Sequence, residues 1–78
     1  MQEFLDIGVL LCERGVHVVQ LKCNAGRMYF QTDIEEDTYL FAYDQWNAQY
    51  LRWTCSVDEA ENVDGAAFES LEELLNVV

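Results

Sequence analysis

The chain has 78 residues, 15 of them Asp or Glu and only 4 Lys or Arg, for a formal net charge of −11. With 51% hydrophobic and 13% aromatic residues it has the balance of one small folded domain spanning residues 1–78, not that of a disordered acidic tail. Such charge repels phosphates and speaks against direct binding of DNA or RNA, and no apolar run reaches the length of a membrane span.

Met1-Gln2-Glu3-Phe4 carries no basic n-region, so a secretory signal is not expected and the cytoplasm is the expected compartment. A chain this short that begins at a methionine is expected to be a complete small reading frame. Residues 7–12 (IGVLLC) and 16–23 (VHVVQLKC) are aliphatic and β-branched runs separated by Glu13-Arg14-Gly15. A three-residue loop closed by glycine predicts a β-hairpin. The alternative is a helix over residues 2–14 with Gly15 just past its end; Gly8 and the valine-rich continuation count against it. Asn24-Ala25-Gly26 predicts a turn, and Arg27 to Thr32 a third strand.

Thr32-Asp33-Ile34-Glu35 fits a capping box and opens a predicted helix over residues 33–53. On that helix Tyr39, Tyr43, Trp46, Tyr50 and Trp53, at alternating spacings of four and three, share one face. The competing reading is a hairpin of residues 38–43 and 49–55, the second of which alternates well. Ser56-Val57-Asp58-Glu59 is a second capping box before a short helical turn. A last helix is predicted from Asp64 as cap, with Val63 and Phe68 as a hydrophobic staple. Its apolar face would be Phe68, Leu71, Leu75 and Val78, and its polar face Glu69, Glu72, Glu73 and Asn76. The expected fold class is α+β: a small antiparallel sheet of three to five strands packed against C-terminal helices.

The acid is unevenly placed. No acidic residue lies between Arg14 and Thr32, whereas Asp33, Glu35, Glu36 and Asp37 crowd together. After Arg52 no basic residue follows, while Asp58, Glu59, Glu61, Asp64, Glu69, Glu72 and Glu73 do. Helical carboxylates three or four apart lie about 5–6 Å from one another, near the spacing of phosphates along a nucleic-acid strand. This pattern predicts a basic partner, a nucleic-acid-binding protein or complex whose phosphate groove the carboxylates would fill. Helix capping and dipole compensation explain several of these acids, but not the lack of balancing lysines. The aromatic stripe is expected to be core at Tyr39, Tyr43 and Trp53, with Trp46 and Tyr50 at its margin as partner anchors or as a homodimer contact.

Other chemistry is poorly served. Aligning Asp58, Asn62 and Glu69 with an EF-hand loop puts Ala60 on a ligand position and Val63 on the glycine position, so calcium binding fails. Cys12, Cys23 and Cys55 are an odd set without CxxC spacing, expected to be reduced and mostly buried. His17 sits in a valine-rich run and reads as a sheet residue sharing a face with Val19 and Leu21, and Ser56 as a cap. No glycine-rich phosphate loop occurs, and neither an enzyme nor a cofactor is expected.

In character (short, acidic, aromatic-rich, without a family motif) the chain is similar to small phage-encoded inhibitors of host defence, anti-CRISPR proteins among them. The likeness is one of composition and assigns no residue a role. An immunity or antitoxin-type protein masking a basic toxin has the same electrostatics. A small module adapted to high salt would explain the acid but not the aromatic and cysteine content.

Overall fold

The computed structural model describes residues 2–22 and 26–78. The chain runs α1 (Gln2–Glu13), β1 (Val19–Lys22), β2 (Met28–Ile34), β3 (Asp37–Asp44), β4 (Gln49–Trp53), α2 (Val57–Ala60), β5 (Ala66–Phe68) and α3 (Leu71–Leu74). The five strands form one antiparallel sheet in the order β1-β2-β3-β4-β5. The α+β class with an antiparallel sheet therefore holds, with an N-terminal helix added to the small C-terminal ones.

The first predicted hairpin is not formed. Residues 7–12 belong to α1, and Gly15, at φ 78, follows the helix as the alternative reading had it. Gly8 counted against a helix on propensity, but tertiary packing decides the matter. A Cβ at Gly8 would stand 2.7 Å from Phe30 Cζ, so glycine is what lets α1 lie this close to the sheet. The rings of Phe4 and Phe30 stack there with centroids 4.3 Å apart. Among the described residues of the second run, Val19–Lys22 is strand. His17 lies before β1, exposed, and its carbonyl accepts a hydrogen bond from the buried Thr32 hydroxyl at 2.6 Å. Thr32 thus sits inside β2 and caps nothing. The predicted turn at Asn24 and Ala25 falls outside the described residues, as does Cys23.

The helix predicted over 33–53 is instead the β3–β4 hairpin. Strand alternation overrides the four-and-three spacing of the rings. Tyr43 pairs with Tyr50 across the hairpin on one face, Leu40 with Trp53 on the other, and Trp46 lies in the connecting turn. Five rings on a single face are not formed. The last helix is also shorter than expected: residues 66–68 pair with β4 as a strand. Ser70, not Asp64, caps α3, its side chain accepting from the Glu73 amide, and Val63 is exposed and staples nothing. The Ser56 cap is formed as predicted and receives the Glu59 amide.

The sheet is covered on both faces. On one, Phe4, Ile7 and Leu11 of α1 and Leu74 and Leu75 at the end of α3 pack on Phe30 and Phe41, with Tyr39, Tyr43 and Tyr50 half-buried beside them. On the other, Ala60 of α2 closes over Tyr29, Leu40, Ala42 and Trp53. Burial of these side chains at roughly 25 cal/mol per Å² of apolar surface drives the fold. Trp53 also fastens the segment after α2: its indole Nε1–H donates to the Val63 carbonyl at 3.0 Å.

Candidate partner-binding surface

The exposed carboxylates fall into three groups. The first is the β2–β3 turn: Asp33, Glu35, Glu36 and Asp37 are exposed there, and Thr38 Oγ1 donates to Asp33 Oδ1 at 2.7 Å. Glu35 adopts a left-handed backbone, φ 58, so a carboxylate stands where glycine would be least strained. The second is α2 and the segment after it, where Asp58, Glu59, Glu61 and Asp64 are exposed. The third is Glu69, Glu72 and Glu73, exposed around α3.

These groups do not make the single helical row expected from the sequence. α2 packs on the Trp53 face and α3 on the Phe41 face, so the sheet separates Asp58, Glu59, Glu61 and Asp64 from Glu72 and Glu73. Glu69 precedes the Ser70 cap and lies outside the helix. What the structure brings near one end of the sheet is the β2–β3 turn and the β4–α2 connection, because β2 and β4 run the same way.

The arginines are spent elsewhere. Arg14 Nη1 donates to the Leu75 carbonyl at 2.9 Å, and Arg52 Nη1 to the Leu74 carbonyl at 2.8 Å. Arg52 also lies over the Phe68 ring, 4.4 Å from its centroid, and Arg27 over Trp53 at 5.6 Å. Both hydrogen-bonded guanidiniums therefore complement the carbonyl end of α3, where positive charge is favoured.

Trp46 is 89% exposed at the tip of the β3–β4 turn. The turn is held by Asp44, whose Oδ1 accepts from the amides of Trp46 at 3.0 Å and Asn47 at 3.3 Å, while Asn47 Nδ2 donates to Oδ2 at 2.8 Å. The Asn47 side-chain bond, joined by the two amides and Arg27, holds the Asp44 carboxyl below its ordinary value against the opposing effect of desolvation, which is second only to that bond. Asp44-Gln45-Trp46-Asn47 carries the residue types of an Asx-type turn, a signal that competes with the helical spacing of the rings around it. Beside it a cleft of ≈ 340 Å³ is lined by Phe4, Arg27, Met28, Tyr43, Asp44 and Trp46. Tyr50 is half-buried 5.0 Å from Tyr43, centroid to centroid. Burial first, then Tyr43 and the negative charges of Glu3 and Asp6, push its phenol above the usual range.

Among the described residues no group of three or more His, Cys, Asp or Glu is placed to hold a metal ion, and no helix is long and apolar enough to cross a membrane. Cys12 is exposed and Cys55 only half-buried, so the expectation of mostly buried thiols fails at Cys12. No protein-family model, curated protein or solved structure matches the chain.

Proposed function

We propose that this chain is a non-enzymatic binding protein that presents carboxylates to a basic surface of a partner. The partner on this reading is a nucleic-acid-binding protein or complex in the cytoplasm, and the chain inhibits it by occupying the groove that nucleic acid would fill. The observation that carries the proposal is the one-sided use of charge: carboxylates stand exposed in three groups, while Arg14 and Arg52 turn to backbone carbonyls. Displacing counterions from such a surface gives the same salt-dependent gain that phosphates give. Counter-defence by a phage or mobile element, as with anti-CRISPR proteins, is the setting this chemistry suits. Trp46, exposed at the turn that Asp44 holds, would supply the apolar anchor, since tryptophan is favoured at binding hot spots.

The test is capture of partners from a nucleic-acid-rich lysate on the immobilised chain, eluted in rising salt, followed by competition with the partner's own nucleic acid. Binding should weaken steeply with salt and be displaced by that nucleic acid. Changing Glu69, Glu72 and Glu73 together to Gln should lower affinity while each substitution alters stability by only about 0.5 kcal/mol. Trp46→Ala should leave unfolding within the same margin and weaken binding at least tenfold. A partner affinity indifferent to salt and to the triple change, or a specific gel shift of DNA by the isolated chain, refutes the proposal.

A further inference from the structure

The β3–β4 turn gathers rings and carboxylates that belong to none of the three exposed acidic groups. The cleft of ≈ 340 Å³ beside Trp46 has the volume of a small-ligand site, and Phe4, Met28, Tyr43 and Trp46 line it with apolar surface. Tyr43 is shared with a second feature: its ring meets that of Tyr50 at 5.0 Å between centroids and 60° between planes. The negative charges of Glu3 and Asp6, one helical turn apart on α1, reach Tyr50. Asp44 adds a carboxylate from the turn itself. Its Oδ1 accepts from the amides of Trp46 and Asn47, and its Oδ2 from Asn47 Nδ2. A carboxylate offers about four acceptor positions, so Oδ2 keeps one for a further donor. Arg27 lines the cleft as well, but its guanidinium lies over Trp53, 5.6 Å from the ring centroid. Trp53 belongs to the cluster on the opposite face of the sheet from Phe4 and Tyr43.

Aromatic rings with carboxylates at their margin select a flat cation. The ring faces attract positive charge, and the carboxylates accept its N–H groups. A guanidinium satisfies both demands at once, because it is planar, weakly hydrated and stacks on rings, whereas an ammonium is a compact, strongly hydrated charge. An anion would meet Glu3, Asp6 and Asp44, and a neutral ring would leave the spare Oδ2 position unused. We infer that this cleft receives an arginine side chain of the partner protein, its guanidinium against Trp46 and Tyr43 and its N–H groups toward Asp44. Glu3 and Asp6 add to the attracting field from α1. The site lies at the other end of β3 from the β2–β3 turn, and so apart from Asp33, Glu35, Glu36 and Asp37. This inference rests on the reading that the partner is basic, but it names arginine and assigns it a place outside the three carboxylate groups.

The experiment is an NMR titration of the full chain with N-acetyl-arginine methylamide, its lysine counterpart and its neutral citrulline counterpart. The Trp46 indole N–H and the amides of Tyr43, Asp44 and Asn47 should shift saturably with the arginine compound. Arginine should bind about two- to fivefold more tightly than lysine, the gain of an exposed stacked cation, and citrulline should leave these resonances in place. Trp46→Ala, whose side chain is 89% exposed, should lower the arginine affinity by a similar factor, read from the remaining amides. Glu3→Gln with Asp6→Asn should weaken arginine and lysine alike and keep the preference between them. Circular dichroism should show the fold retained in both variants. Equal binding of arginine and lysine, shifts spread evenly over residues 35–37 and 58–61, or full arginine affinity in Trp46→Ala overturns the site and leaves only general attraction to an acidic surface. Arginine binding at the cleft together with a lysate partner indifferent to salt and nucleic acid would sink the proposed function and leave the site standing. A salt-sensitive partner lost on the Glu69, Glu72 and Glu73 change but held in full by Trp46→Ala would sink the arginine site alone.

Discussion

The acidic segment after α2 meets the sheet in a close packing contact between Gly65 and Trp53, and a double-mutant cycle measures it. A Cβ at Gly65 would lie 2.7 Å from Trp53 Cε2, 2.9 Å from Cζ2 and 3.0 Å from Cδ2. The indole has little room to retreat: it is 3% exposed, its Nε1–H is tied to the Val63 carbonyl, and Tyr29 meets it edge-on at 5.3 Å. Gly65→Ala should therefore incur about 1–3 kcal/mol of overpacking. Gly65 is not left-handed, so alanine recovers roughly 0.4–1 kcal/mol by restricting the unfolded chain, leaving a net loss of up to about 2.6 kcal/mol. Trp53→Phe removes the hydrogen bond, about 1 kcal/mol, and opens space where the six-membered ring was, for a total of about 2–3. The phenyl ring lacks Cζ2 and the outer edge of the indole, so in the double variant the new methyl enters vacated space. Its loss should fall about 1–2 kcal/mol short of the sum. Urea unfolding followed by circular dichroism reads this directly, since at a slope of about 1 kcal/mol per M the coupling moves the midpoint by roughly 1–2 M. Losses that add within about 0.5 kcal/mol would show that Gly65 and Trp53 do not share the contact on which this reasoning rests.

Two further outcomes follow from titratable groups. Asp44 is held below its ordinary pKa of 3.8 by Asn47 and the turn amides, so its stabilisation is fully present above that value and is lost as pH falls through the lower folded value. The amide resonances of Trp46 and Asn47 should move with a midpoint below 3.8, and a midpoint at or above it would contradict the turn geometry. In a Cys23→Ser background, the exposed Cys12 should be alkylated by neutral iodoacetamide well before Cys55, whose thiol is pushed up by burial and then by Glu59; faster reaction at Cys55 would refute that ranking.

The sheet-forming half of the chain was legible where period and register agreed, and illegible where they competed. Residues 49–55 alternate, and β4 lies there. The aromatic spacing of residues 39–53 nevertheless fits a helix equally well. The hairpin register pairs Tyr43 with Tyr50 about a turn containing Trp46, which reproduces a helical spacing by coincidence of loop length. α1 was misread for a different reason. Gly8 lowers helix propensity by about 1 kcal/mol relative to alanine, and the compensating approach to Phe30 is a contact 22 positions away in sequence. A strand over residues 7–12 would also scatter Leu5, Val9 and Cys12, which share a face only on a helix. Serine caps were more reliable: Ser56 was read correctly, and Ser70-Leu71-Glu72-Glu73 has the same capping-box spacing but was absorbed into a longer predicted helix.

The charge pattern acquires a physical cause once α3 is considered as a unit. A helix of 4 residues cannot sustain itself, since helix nucleation costs more than one turn returns. Its amide end is met by the Ser70 side chain and carries Glu72 and Glu73, and its carbonyl end is met by Arg14 from beyond α1 and Arg52 from β4. Negative charge at one end and positive at the other is the arrangement the peptide dipoles favour. The same arrangement ties the C-terminal segment to both the helix and the sheet. Two of the chain's 4 basic residues are thereby committed to the fold. Their charge still counts toward the total, but it is directed at backbone carbonyls. A basic partner would thus meet exposed carboxylates while Arg14 and Arg52 remain directed at the end of α3.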